Sequence, residues 1–141
     1  MLGCASSKQE MQQLKRDLES VFKIKAMGEA HWLLRVSISR DRASRTIALL
    51  QTAYVDAMVK CYNMQDVFPV HTPLEPGIHL SQSMCPTTQE EKDLMEKRPY
   101  QMIIGSVMYT TITTWLDISF AVQQLSQFTS NPGRLHWEAT K

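Results

Sequence analysis

A chain of 141 residues is long enough for one modest domain with a single core, and too short for several. Its apolar share of 43% and charged share of 21% are those of a globular chain and argue against intrinsic disorder. The formal net charge of +1 excludes the global basic footprint of a free-standing nucleic-acid binder, so any phosphate contact has to come from local placement of charge.

Ser7 and Glu10 stand at capping-box spacing, and Met11, Leu14, Leu18 and Phe22 then recur at three- and four-residue intervals, which predicts an amphipathic helix over residues 8–22. After Gly28 the pattern changes to partial alternation of β-compatible side chains from His31 to Arg40. A polar turn from Asp41 to Arg45 and an apolar run from Thr46 to Leu50 complete a predicted β-hairpin. From Gln51 the period is helical again, with Tyr54, Met58, Cys61 and Tyr62 on one side, ending near Asn63.

Residues 65–88 hold Pro69, Pro73, Pro76, Gly77 and Pro86, and proline removes backbone donors and restricts its predecessor, so a surface crossing is expected there. A short acidic helix is expected over residues 88–97. Tyr100 to Ile112 is predicted as a helix with Ile104, Met108 and Ile112 on its buried side. Asp117 is placed to cap another helix, whose stripe is Ile118, Ala121, Val122, Leu125 and Phe128. Asn131–Pro132–Gly133 is a turn, and a last helix starts near Arg134 and is cut short at Lys141. The fold class is therefore α+β, organised as 1–64, 65–98 and 99–141.

Charge is unevenly spread. Residues 31–60 carry Arg35, Arg40, Arg42, Arg45 and Lys60 against Asp41 and Asp56, whereas Glu90, Glu91, Asp93 and Glu96 make a later stretch acidic. The basic stretch either meets phosphate or is a solvated face of the hairpin. Cys4, Cys61 and Cys85 are odd in number, widely spaced and without a histidine cluster, which predicts neither a disulfide framework nor a zinc site. No apolar run reaches a membrane span and the first residues do not read as a signal peptide, so an intracellular, non-secreted protein without membrane partners is expected. His31, His71, His79 and His136 are scattered, and no GxSxG, phosphate loop or HExxH occurs, so an independent enzyme is the least favoured reading.

Several landmarks fall in one order: Phe22 to Glu29, the hairpin, Gln51 with Tyr54, Pro69–Val70–His71–Thr72–Pro73–Leu74, Tyr100 to Tyr109, Asp117 to Val122, and His136–Trp137. Together, from about residue 4 to 141, they resemble the C-terminal part of the copia-type (Ty1/copia, Pseudoviridae-like) retrotransposon reverse transcriptase. The resemblance implies an incomplete palm end, made of a helix and a β-hairpin, followed by a mainly helical thumb-like region.

It also implies that the hairpin bearing the catalytic aspartates belongs just before this stretch and that RNase H belongs beyond Lys141. Polymerisation uses clustered carboxylates that hold two metal ions, so the expectation is a non-catalytic fragment with no catalytic, cofactor or metal residues of its own, derived from a magnesium-dependent RNA-directed DNA polymerase. Tyr54–Val55–Asp56–Ala57 is not a remnant of that motif, because the helical period runs through it, whereas the catalytic motif belongs on a tight β-turn.

The hairpin of residues 29–50 resembles the primer grip, where Trp32 and Arg40 are candidates for nucleic-acid contact; Trp32 is alternatively a packing residue. Gln101, Gly105 and Tyr109 lie at i, i+4 and i+8, along one face of a helix similar to the retroviral thumb helix that follows the minor groove. Glutamine can bond groove acceptors, glycine permits close approach and tyrosine offers a flat ring to sugars. Alternatively, Gly105 admits another helix and Tyr109 is core. The partners implied are an RNA–DNA hybrid or other duplex, and remaining Pol fragments.

Two departures from the family stand out: Arg35 replaces a usual glycine, and Trp115–Leu116 replace arginine and proline. If Arg35 faces the core, its guanidinium is costly to bury. Each change is reachable by single transitions, so a domesticated binding module and a non-functional relic are the two alternatives to a contact-retaining fragment.

Overall fold

The computed structural model describes residues 2–68, 70, 72–75 and 77–141; Pro69, His71 and Pro76 of the expected crossing lie outside them. The chain divides into two compact units, Met1–Leu49 and Leu50–Lys141.

The first unit opens with α1, Lys8–Val21. The Ser7 hydroxyl accepts the Glu10 N–H, and the Glu10 carboxylate reaches back to the N–H and hydroxyl of Ser6, one residue earlier than the expected box. Those bonds from Ser6 hold the Glu10 carboxyl below its ordinary value. None of the residues of α1 is buried, so the stripe of Met11, Leu14 and Leu18 is only partly covered.

The expected hairpin is a three-stranded sheet in the order β1-β2-β3, with β1 Trp32–Leu33, β2 Val36–Asp41 and β3 Thr46–Leu50. The run read as one strand from His31 to Arg40 doubles back after Leu33, pairing Leu33 with Val36 and Trp32 with Ser37 in antiparallel register. Leu34 and Arg35 form the two-residue turn with φ of 49° and 63°, the φ signs of a type I′ hairpin. This accounts for glycine as the usual residue at position 35. Arg35 is exposed, so its cost lies in left-handed backbone rather than in a buried guanidinium.

The second turn is held by Asp41, which accepts from the N–H groups of Ala43 and Ser44 and from the Ser44 hydroxyl. Val36 is the buried hydrophobic residue of this unit among the described residues.

In the second unit, α2 spans Thr52–Cys61, α3 Gln89–Glu96, α4 Tyr100–Thr113, α5 Ser119–Ser126 and α6 Arg134–Glu138. Val55, Met58, Val59 and Tyr62 are the half-buried positions along α2 with Tyr54, while Cys61, expected among them, is exposed. Among its described residues, the crossing between α2 and α3 contains a short 3-10 turn, Gln82–Met84. A full capping box starts α3, with Thr88 and Glu91 bonding reciprocally.

The core gathers Tyr100, Ile103 and Ile104 of α4 with Leu125 of α5 and Trp137 of α6, and Met64, Leu80, Met95 and Val107 pack around it. The Tyr100 hydroxyl donates to the Leu125 carbonyl at 2.7 Å, joining α4 to α5 inside the core, and burial pushes its pKa up to about 12. Two expectations are corrected here. Met108 and Ile112 are exposed; the buried side of α4 continues through Thr110 and Thr111, whose hydroxyls donate back to the carbonyls of Val107 and Met108 and so enter the interior satisfied. Asp117 does not cap α5, because Leu116–Ile118 winds as a 3-10 turn that feeds directly into it.

Gly133 starts α6 where its backbone lies against the end of that earlier 3-10 turn. An added Cβ would sit 1.8 Å from the Met84 carbonyl oxygen.

Candidate nucleic-acid interface

The helix α4 is fixed from one side by α2. At one end the Thr114 hydroxyl donates to Gln51 Oε1 at 2.7 Å, with Gln51 almost fully buried. At the middle, the Ser106 hydroxyl donates to the Met102 carbonyl, which leaves its oxygen to accept from the Tyr62 hydroxyl at 3.0 Å. The Tyr54 hydroxyl donates to the Ser106 carbonyl at 3.3 Å, and its ring meets Tyr109 edge to face at 5.3 Å between centroids. Gln51 and Tyr54, read as landmarks in the sequence, therefore hold the α2–α4 pair in register.

The opposite face of α4 presents Gln101, Gly105, Met108 and Ile112 to solvent. At Gly105 nothing lies within 4 Å of where a Cβ would be, so no helix of the described structure uses the glycine for close packing. Gln101 and Gly105 share this open face. Tyr109 stands on its flank, half-buried against Tyr54, so its ring is a packing element of the α2–α4 pair.

Trp32 and Arg40 are both exposed on the sheet of the first unit, but not side by side. Trp32 pairs with Ser37, and strand alternation then puts Trp32, Ser37 and Ser39 on one face and Val36, Ile38 and Arg40 on the other. Within the basic stretch Arg42 is committed to Glu29 at 2.6 Å, and this bond holds the Glu29 carboxyl below its ordinary range. No group of three or more His, Cys, Asp or Glu side chains converges among the described residues. The three cysteines are free, with Cys4 and Cys61 exposed. No helix among the described residues is long and apolar enough to cross a membrane.

Sequence reasoning missed two features. The His136 ring is fully enclosed and bonded to the Gly133 backbone, and Gly133 itself is confined by Met84. Only the Asn-Pro-Gly turn just before a helix hinted at the second, and no local signal in the sequence announces the first.

No family model and no solved structure matches the chain. Among curated proteins it is 43% identical over all 141 residues to the retrovirus-related Pol polyprotein from transposon TNT 1-94 of Nicotiana tabacum. It is 32% identical over 125 residues to the corresponding polyprotein from transposon RE1 of Arabidopsis thaliana, and 30% identical over 131 residues to that from transposon RE2 of the same plant. These alignments cover 100%, 89% and 91% of this chain, but only 11%, 8% and 8% of the respective polyproteins. Over its whole length, then, the chain is a homologue of one segment of the retrovirus-related Pol polyproteins of copia-type transposons.

Proposed function

We propose that the chain is a non-catalytic, thumb-like segment derived from an RNA-directed DNA polymerase, and that the open face of α4 lies along a primer–template duplex. One observation carries this reading: Gln101 and Gly105 sit one turn apart on an exposed helix face, with clear space around the glycine. A polar side chain able to donate and accept, beside backbone that a sugar–phosphate strand can approach closely, suits groove contact without sequence preference. The magnesium of an intact parent enzyme does not fit the residues present, because no three carboxylates converge among the described residues.

Fluorescence anisotropy of a labelled RNA–DNA hybrid, titrated with the 141-residue chain at several salt concentrations, tests this proposal. Gln101→Ala weakens binding, and Gly105→Leu, which places bulk on the open face, weakens it further. Unchanged binding in both variants rules out this face.

A second reading is favoured by Met108 and Ile112 one turn apart on the same face, with Ile112 76% exposed. A domesticated module that docks a protein through this apolar stripe would bind its partner with little salt dependence.

A further inference from the structure

His136 and Trp137 play no part in the proposed duplex face, yet both are buried. The His136 ring is at 0% exposure and lies parallel to Phe128, with centroids 4.0 Å apart and planes 13° from parallel. Its Nδ1 accepts the backbone N–H of Gly133 at 2.9 Å. This bond requires a neutral ring with its proton on Nε2, since a proton on Nδ1 would set one N–H against another. Nε2 is sealed from solvent with no hydrogen-bond partner at full geometry, the Ser81 backbone being the polar group that acts on it. Gly133, the other end of the bond, is confined against the backbone of Met84 and Cys85. The ring thus stands where the start of α6, the 3-10 segment and the end of α5 meet.

We propose that His136 is an acid-sensitive latch: a proton taken up at Nδ1 breaks the Gly133 hydrogen bond and undocks α6 from the Met84–Cys85 backbone.

Apart from the Ser81 backbone, the neighbouring segments offer no negative charge to stabilise the charged ring. Ser81, Gln82, Ser83 and Met84 carry no charge, and Cys85 is the titratable group on that segment. Phe128 and Thr129 at the end of α5 are uncharged. On and just after α6, Glu138 is paired with Lys141 at 2.9 Å, and the other charges at α6 are the cations Arg134 and Arg98, the latter 5.1 Å from the Trp137 ring centroid; neither favours a protonated ring. Burial accordingly lowers the His136 pKa below its ordinary value, the Ser81 backbone opposing it only in part.

The docked state therefore binds fewer protons than the undocked one. Docking is fully present above about pH 6.5, the value of an exposed histidine, and weakens as pH falls below it. Undocking uncovers Trp137, a member of the core cluster.

Amide hydrogen exchange across Arg134–Glu138, corrected for its intrinsic pH dependence and followed from pH 7.5 to 5, tests the latch alongside NMR titration of the His136 ring. Protection in α6 should fall up to tenfold per pH unit below about 6.5 while that of Ile103 and Ile104 holds. His136→Asn keeps an acceptor for the Gly133 N–H but cannot titrate, and its protection should stay level. An equal slope in both proteins overturns the proposal. If the asparagine variant fails to fold, the wild-type titration still decides: a shared midpoint for the ring and the Gly133 amide supports the latch, and a ring that titrates while that amide stays unchanged overturns it.

Discussion

Gly133 and Arg35 show two different reasons for a glycine. At Gly133 the constraint is space, because a Cβ would be driven to 1.8 Å from the Met84 oxygen and neither backbone can yield easily. Gly133→Ala should therefore destabilise the second unit by about 2 kcal/mol, within the range of overpacking, read as a lowered urea midpoint with an unchanged slope. At position 35 the constraint is dihedral: Leu34 and Arg35 both occupy positive φ in a two-residue turn. Arg35→Gly should stabilise the sheet by about 1 kcal/mol, visible as slower exchange of amides across the β1–β2 pair. The resemblance drew attention to position 35, but one-dimensional reading supplied the wrong reason, since a strand running through the residue would have made its side chain the issue. The fold-back after Leu33 was hidden because leucine and arginine are poor type I′ residues, and nothing in the local chemistry announces a turn there.

Among the elements, helices with explicit caps were the most legible. The spacing of Ser7 and Glu10 marked the start of α1, where Ser7 accepts the expected backbone N–H, and the Thr88–Glu91 box places the start of α3 at the edge of the expected acidic helix. Faces were harder. Reading α4 by its apolar residues put Met108 and Ile112 inside, although the helix turns Thr110 and Thr111 inward and leaves those two in solvent. Threonine hydroxyls that bond within their own helix carry little penalty for burial, so polarity misled where geometry decided.

The same helix holds the bond that joins it to α5. Tyr100→Phe keeps the buried ring and removes only its hydroxyl bond to Leu125. It should cost about 1 kcal/mol, measured by thermal or urea unfolding, with no change in hybrid binding because Tyr100 lies away from the open face. Gln101 and Gly105 were legible as a pair from their spacing. The role of Tyr109 as the neighbour of Tyr54 was not, because the α2–α4 pairing is a long-range contact.

Across the whole molecule, the buried core belongs to the second unit. Tyr100, Ile103, Ile104, Leu125 and Trp137 close together there, whereas α1 buries none of its residues and the first unit contributes Val36. Denaturant and heat should therefore report chiefly on residues 50–141. The candidate contacts divide in the same way, with Gln101 and Gly105 on α4, and Trp32 and Arg40 on opposite faces of the sheet. The homology is to Pol polyproteins of which the chain spans about a tenth, so the proposed function of this segment rests on the open face of α4. The most direct measurement is amide NMR mapping of a labelled 141-residue chain titrated with a short RNA–DNA hybrid. Shifts centred on Gln101, Gly105 and Met108 are the predicted result. Shifts confined to the β-sheet, or none at concentrations where the protein remains folded, would contradict a surviving duplex-tracking helix.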